Sequence, residues 1–323
     1  MPAGTSLRGS PSCRRTAVGP GALLLSRSGP PTERGGRKSG LKASAMSAAS
    51  KSVPGEFVDL GHKLADAAAV VTAQHFRSRL VVEHKGDESP VTQADRQAEL
   101  AMCSLIEQAL PNHGVYGEEG GMQHGSGEGS EYLWILDPID GTKSFITGKP
   151  LFGTLIALVH KGIPILGIID QPVLKERWVG IQGAQTTLNG KCVATRQCPS
   201  LSEAYLYATT PDMFRGDAKA AFKRLRGQVR PPLFGCDCYA YGLLASGFCD
   251  LVVEADMMPY DYMALVPVVE GAGGVMTDWQ GRLLRWRGAG GLQEALEAST
   301  GEVIAAGDAK LHERALAMLR STS

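Results

Sequence analysis

The stretch Trp134-Ile135-Leu136-Asp137-Pro138-Ile139-Asp140-Gly141-Thr142 decides how the fold and the chemistry of this chain are interpreted. The apolar run from Tyr132 to Leu136 predicts a buried strand. Because proline donates no backbone hydrogen bond, Pro138 predicts that the strand ends in a turn at this point. Asp137 and Asp140 bring two carboxylates to that turn, where they repel each other unless a cation lies between them. Two interpretations follow: a pair of turn-forming aspartates, or half of a metal site.

Three further acids lie at the ends of other predicted elements: Asp95, Glu118 and Asp261. Asp95 follows Thr92 at capping-box spacing and Asp261 begins a predicted helix, so helix capping alone also accounts for both residues. Oxygen ligands with no His or Cys nearby favour a hard cation, Mg2+ before Mn2+ or Ca2+. A helix predicted to begin near Gly141 would present free N–H groups to a phosphate. The pattern therefore indicates metal-assisted transfer of a phosphoryl group to water.

Charge is unevenly distributed along the chain. Residues 1–50 carry eight of the 33 basic residues and one of the 33 acidic residues, which leaves 25 basic and 32 acidic residues in the remainder. This mildly acidic remainder argues against nucleic-acid binding, which requires a basic face. After residue 50, no stretch of roughly 18 consecutive apolar residues occurs, so we expect no membrane span.

Residues 1–50 are rich in Ser, Gly, Pro and Arg, a composition typical of an organelle transit peptide. The alternative is a disordered basic tail with no targeting role. We expect a disordered transit peptide over 1–50, with the plastid favoured over the mitochondrion, and a folded domain over 51–323. The seven scattered cysteines indicate no disulfide framework. The close pair Cys236 and Cys238 is expected to be buried rather than to serve a redox or metal role.

The remainder alternates helices and strands. Helical spacing predicts helices over 56–79 and from Thr92 to about Leu110. A β-rich region that follows, 152–181, predicts an antiparallel meander. In the second half, the same reasoning predicts strands over 204–209, 251–254, 275–278 and 303–306, and helices over 212–227, 239–246, 261–271 and 310–319. The predicted fold class is α/β (α+β), a layered sandwich with its site where the two halves meet.

Four motifs in order along the chain resemble the inositol monophosphatase superfamily. These motifs are Val91-Thr92-Gln93-Ala94-Asp95, Gly117-Glu118-Glu119, Asp137-Pro138-Ile139-Asp140-Gly141-Thr142, and Tyr260-Asp261 followed by Glu270-Gly271-Ala272-Gly273-Gly274. One such motif would be weak evidence, but four at suitable spacings span about residues 56–320. The resemblance implies an α-β-α-β-α sandwich, usually found as a homodimer.

The resemblance also implies the metal site. It assigns two or three Mg2+ ions per site to the carboxylates of Glu118, Asp137, Asp140 and Asp261 and to the carbonyl of Ile139. Sensitivity to lithium is a further property expected from the family.

The same resemblance implies catalytic and substrate-binding roles. Asp95 and Thr142 would orient and activate the attacking water, and Glu118 counts with them among the catalytic residues. The amides of Gly141 and Thr142 would hold the phosphate. The full set of expected substrate-binding residues is Asp140, Gly141, Thr142, Glu254 and Asp261.

Residues 143–158 and the stretches 167–172 and 259–262 resemble the branch of this superfamily that acts on histidinol phosphate, and its plant form carries a plastid transit peptide. The expected substrate is thus a small phosphorylated amino alcohol, whose ammonium and imidazole would meet Glu254 and also Asp237 or Asp256. Glu254 is alternatively a solvated acid at a strand end. Asp256 departs from the expected small or neutral residue.

Two other functions stay open at this point. One is a phosphatase of the same family that acts on inositol or sugar (galactose) 1-phosphate. The other is a non-catalytic binding protein that keeps the fold, which is disfavoured because each expected metal position carries a carboxylate.

Overall fold

A computed structural model describes residues 53–79, 81–84, 90–126, 131–288 and 292–320. The predicted transit peptide, residues 1–50, lies outside the described residues. The described residues between 53 and 320 belong to one compact unit. In the described part of the chain, none of the helices combines the length and the apolar character needed to cross a bilayer.

Nine α-helices lie in the described residues: α1 Gly55–His75, α2 Gln93–Ala109, α3 Thr142–Ile146, α4 Gly216–Arg226, α5 Tyr239–Ala245, α6 Pro259–Tyr262, α7 Leu265–Gly271, α8 Leu292–Ala298 and α9 Ala309–Arg320. The strands in the same ranges are β1 Val82–His84, β2 Pro90–Thr92, β3 Gly114–Gly117, β4 Gly121–Gln123, β5 Tyr132–Asp140, β6 Gly153–His160, β7 Ile163–Gln171, β8 Glu176–Ile181, β9 Thr187–Leu188, β10 Lys191–Cys192, β11 Leu206–Ala208, β12 Leu233–Phe234, β13 Leu251–Glu254, β14 Val275–Asp278 and β15 Val303–Ala306.

Two large sheets form the framework. The first has eight strands in the order β10-β9-β8-β7-β6-β5-β3-β4, and the second has five in the order β12-β11-β13-β15-β14. Strands β5 to β10 are antiparallel neighbours, whereas β3 and β5 are parallel. The short pair β1 and β2 forms a separate antiparallel ribbon.

Helices cover and separate the two sheets in layers. Helices α1 and α2 pack on one face of the first sheet, helices α5 and α7 lie between the sheets, and α4 and α9 pack together outside the second sheet. Each of the three helical layers has its own buried apolar cluster. The predicted α-β-α-β-α sandwich is therefore confirmed.

Most predicted elements are found, with three corrections near the functional stretch. Strand β5 does not end before Pro138 but continues to Asp140. The helix predicted over 261–271 is two helices, α6 and α7, and Asp261 is the third residue of α6 rather than its first.

The helical layer between the sheets approaches the first sheet at two glycines. A Cβ on Gly167 of β7 would lie 1.9 Å from the carbonyl oxygen of Ala264, and a Cβ on Gly180 of β8 would lie 2.3 Å from the backbone of Pro267 and Val268. Side chains at either position would push α7 away from the sheet, because the obstructing atoms are backbone. These glycines therefore set the distance between the two halves of the sandwich.

We expect Gly180→Ala to lower the free energy of unfolding by about 1–3 kcal/mol, the usual cost of overpacking a well-packed core. The matched control is Gly55→Ala, because a Cβ at Gly55 would meet no atom within 4 Å. Urea unfolding followed by circular dichroism measures both changes. Equal stability of the two variants would contradict the close approach at Gly180.

Candidate active site

The end of strand β5 is shaped by a local irregularity rather than by a turn. The register with β6 shifts between Asp137, opposite Leu155, and Asp140, opposite Gly153. Pro138, which has no backbone N–H, lies inside this irregularity, where the regular hydrogen bonds between β5 and β6 are interrupted, so the proline costs the sheet no hydrogen bond. Thr154 Oγ1 donates a hydrogen bond of 2.8 Å to the Pro138 carbonyl oxygen, which ties the irregular segment to β6. Both aspartates of the quoted stretch are thus held by one rigid sheet.

Three carboxylates meet at this point. One oxygen each of Asp137, Asp140 and Asp261 lies within 4.8 Å of the others. Each carboxylate also accepts one backbone N–H: Asp137 Oδ1 from Ile139 at 3.0 Å, Asp261 Oδ2 from Met258 at 2.7 Å, and Asp140 Oδ2 from Cys238. Two of these acids come from the end of β5 and the third from α6, which follows strand β13 of the other sheet. The sandwich therefore assembles the predicted cluster from both halves.

Burial and repulsion from neighbouring carboxylates both raise the pKa values of the three carboxyl groups in this cluster. Burial, and then the charges of Glu118, Asp140 and Asp261, raise the pKa of Asp137 well above its usual range. Burial raises the pKa of Asp261 in the same way, with the charge of Asp140 as the next cause. Burial, followed by the charge of Asp237, raises the pKa of Asp140 to about 8. An all-oxygen set that repels itself fits a hard divalent cation, which would remove the repulsion.

Glu118 lies near the cluster, but it is not one of the three acids whose oxygens lie within 4.8 Å of one another. Its backbone N–H donates to the carbonyl oxygen of Leu136 at 3.1 Å, which fixes the turn after β3 against β5. Its charge contributes to the raised pKa values of Asp137, Asp261 and Asp95. The structure therefore brings Glu118 into the same electrostatic environment as the other expected metal ligands.

Asp95 makes the capping box that its spacing predicts. Its Oδ2 accepts from Thr92 N at 2.8 Å and from Thr92 Oγ1 at 2.6 Å, while Ala94 N donates to Thr92 Oγ1. Asp95 is buried, and burial is the main cause of its raised pKa. The charge of Glu118 also raises the pKa of Asp95, so this capping residue lies within electrostatic range of the acidic cluster. The capping and catalytic interpretations are therefore compatible.

The segment after Asp140 is compact. Gly141 has φ of 84°, a left-handed conformation that favours glycine, and helix α3 begins at Thr142. Thr142 Oγ1 donates to the Ile139 carbonyl oxygen at 3.1 Å. The first amides of a helix have no acceptor within it, which is consistent with the expected phosphate-binding role of Gly141 and Thr142.

A cavity of about 140 Å3 opens beside the cluster. Asp140 and Asp261 line it together with Glu254, Asp237 and Asp256. Several further residues complete its wall, namely Thr209, Met213, Cys238, Tyr241, Met257 and Leu265. Five carboxyl groups therefore surround one small cavity.

Glu254 is not the solvated acid of the alternative interpretation. Its side chain is buried, and it accepts hydrogen bonds from Thr209 N at 3.0 Å, from Thr209 Oγ1 and from Tyr241 OH at 2.8 Å. Burial raises its pKa, whereas the bonds from Thr209 and Tyr241 lower it. Asp256 is exposed at the cavity, with φ of 61°.

The loop that carries Asp237 is tied to the segment after Asp140. Ser144 Oγ donates to Asp237 Oδ2 at 3.0 Å, and Lys149 Nζ donates to the Gly235 carbonyl oxygen. Cys236 and Cys238 are buried and free, as predicted.

Sequence reasoning missed one buried acid near the site, Glu99. It accepts backbone N–H groups from Glu119 at 2.9 Å and Gly120 at 2.6 Å, the residues that follow Glu118. A signal was present, because Glu99 lies four residues after Asp95 and so on the same face of α2.

Comparisons with known proteins agree with this geometry. Residues 55–323 match the inositol monophosphatase family. The chloroplastic bifunctional phosphatase IMPL2 of Arabidopsis thaliana is 54% identical over 263 residues, covering 81% of this chain and 75% of that protein. A histidinol-phosphatase of Chlorobaculum parvum is 38% identical over 230 residues, covering 70% of this chain and 86% of that protein. The solved structure of an inositol monophosphatase from Zymomonas mobilis shares 46% identity at a TM-score of 0.73, covering 84% of this chain and all of that chain.

We expect Asp137→Asn to leave the metal-free protein at least as stable as the wild type at pH 8, because it removes one charge from a repelling cluster and keeps the acceptor for Ile139 N. The control is Asp278→Asn. Asp278 accepts hydrogen bonds from Gln280 N, Arg282 N and Arg282 Nε, so this variant should lose about 1–3 kcal/mol of unfolding free energy.

The pH dependence gives a second check on the same variant. Raised folded-state pKa values mean that the folded wild type takes up protons as the pH falls from about 8 towards 5, which relieves the repulsion. The stability difference between Asp137→Asn and the wild type should therefore shrink at pH 5. Thermal unfolding in a chelator measures it, and a lower midpoint for Asp137→Asn than for the wild type at pH 8 would refute the repulsion.

Proposed function

The chain belongs to the inositol monophosphatase family, and we propose that this metal-dependent phosphatase uses Mg2+ to hydrolyse L-histidinol phosphate to L-histidinol and phosphate. This reaction is a step of histidine synthesis. The observation that carries the proposal is the cavity in which Glu254, Asp237 and Asp256 face the same space as Asp140 and Asp261. Histidinol phosphate combines a phosphate with an ammonium and an imidazole, so it suits a metal cluster bordered by further acids.

The proposed metal ligands are the carboxylates of Glu118, Asp137, Asp140 and Asp261 with the Ile139 carbonyl, for two or three Mg2+ ions. Support comes from the three carboxylate oxygens within 4.8 Å of one another and from the oxygen-only donor set. When bound, the ions would polarise the phosphate, lower the pKa of the attacking water and stabilise the leaving oxygen.

The residues of the chain would position the other reactants. The amides of Gly141 and Thr142 would hold the phosphate oxygens. Asp95, fixed by its two bonds from Thr92, and Thr142 would orient the attacking water. The water oxygen would bond to phosphorus as the ester P–O bond breaks. Asp95 would accept one proton from the attacking water, and the leaving alkoxide oxygen would take up one proton from solvent, so that ester and water give the alcohol and phosphate.

A related activity on inositol or sugar 1-phosphates is the second candidate. It is favoured by the 46% identity to an inositol monophosphatase of Zymomonas mobilis. Its metal chemistry would be the same, so only the alcohol pocket distinguishes the two substrates.

We also propose delivery to the plastid, on the composition of residues 1–50 and on the relative described as chloroplastic. Fusing these residues to a fluorescent protein would test the destination, and cytosolic fluorescence would count against it. A homodimer is proposed from the family resemblance, and a monomeric mass in light scattering would exclude it.

With Mg2+, we expect phosphate release from histidinol phosphate to exceed release from inositol 1-phosphate and galactose 1-phosphate. Asp140→Asn should lower kcat by more than about 100-fold, because a ligand carboxylate matters at least as much as the groups that orient ligands. Glu203→Gln, on an exposed acid, serves as the control. Retained activity in Asp140→Asn would refute the metal assignment, and a preference for inositol 1-phosphate would shift the proposal to the second candidate.

Glu254→Gln should raise KM for histidinol phosphate about tenfold while changing KM for inositol 1-phosphate little, because one ion pair near a desolvated charge contributes on the order of 1–2 kcal/mol. The substitution keeps the side-chain volume beside Thr209 and Tyr241. Steady-state kinetics on both substrates measure the two KM values. Equal changes for the charged and the uncharged alcohol would show that Glu254 does not select the substrate.

A further inference from the structure

Glu99 lies where nothing in the proposed chemistry requires an acid. Its side chain is 3% exposed, it stands one helical turn after Asp95 on α2, and it faces the turn that carries Glu118. A buried carboxylate is costly, so a position of this kind needs compensating hydrogen bonds. Those bonds come from the backbone N–H groups of Glu119 and Gly120.

The turn is built around this carboxylate. A Cβ on Gly117 would lie 2.4 Å from Glu99 Cδ, and a Cβ on Gly120 would lie 2.8 Å from Glu99 Oε1. The carboxylate therefore occupies space that side chains at both positions would need. Two glycines and two N–H donors from one short turn form a close-fitting cradle for Glu99.

The cradle fixes Glu118 from both sides. The N–H of Glu118 is bonded to the carbonyl oxygen of Leu136, next to Asp137, and the next two N–H groups are bonded to Glu99. With three successive amides held, the backbone of Glu118 has little freedom, and its side chain is directed towards Asp137, with which it shares a hydrogen bond.

We propose that Glu99 is a positioning residue that sets the orientation of Glu118 for Mg2+ binding. The inference rests on the proposed function, because it takes Glu118 as a metal ligand. Glu99 itself acts through the backbone of the turn. Groups that orient metal ligands typically change metal affinity about 10–100-fold when they are removed.

The test is Glu99→Gln, which keeps the shape but turns one acceptor into an NH2 group facing a backbone donor. The control is Glu107→Gln, on an exposed acid of the same helix. We expect the Kd for Mg2+, measured by calorimetry, to rise about tenfold in Glu99→Gln. The Tm in chelator should fall, because the new NH2 group faces a backbone donor in a buried place. The Mg2+-induced rise in Tm should also shrink, while Glu107→Gln behaves as wild type.

A purely structural role would lower the Tm in chelator but leave the Kd for Mg2+ and the Mg2+-induced rise in Tm unchanged, and this result would overturn the inference. If Glu99→Gln does not fold, Gly120→Ala takes its place, because it keeps the acid and displaces Oε1 at an exposed residue. Wild-type Mg2+ affinity in Gly120→Ala would then overturn the inference. If the wild type itself bound no Mg2+ and released no phosphate, the proposed function would fail and the inference with it.

Discussion

Repulsion among Asp137, Asp140 and Asp261 is the constraint on which the rest of the structure depends. Asp137 is buried and Asp140 and Asp261 are half-buried, and three carboxylates with oxygens within 4.8 Å of one another oppose folding in the absence of a cation. They are nevertheless held, because each accepts a backbone N–H from a nearby or facing segment. The framework that supplies these donors must be stable without any help from the cluster.

The layered sandwich supplies that stability. Its three buried apolar clusters lie in the three helical layers, and the close approach of α7 at Gly167 and Gly180 fixes the spacing between α7 and the first sheet. Because β5 belongs to one sheet and α6 follows a strand of the other, any change in that spacing would alter the distances within the cluster. Packing far from the carboxylates therefore determines their geometry.

Local patterns were enough to predict much of this arrangement. Local patterns predicted β13 and β14 with their observed ends, and the acids at element ends predicted the residues that meet. The predicted end of β5 was wrong. The hydrogen bond that holds Pro138 in the strand comes from Thr154 of the neighbouring strand, and the sequence around Pro138 does not indicate it. Glu99 was missed although its spacing from Asp95 was a local signal, because its hydrogen-bond partners belong to a turn about 20 residues away.

Substrate choice and catalysis are physically coupled in this site. The loop that carries Asp237 lines the cavity, where the proposed function places the alcohol, and the next N–H along the chain, from Cys238, is bonded to Asp140 of the cluster. Ser144 holds Asp237 from the segment that follows Asp140. A substitution that moves this loop to admit a different alcohol would also move the donor that orients Asp140. Any altered loop in this protein must still present a backbone donor to the carboxylate of Asp140.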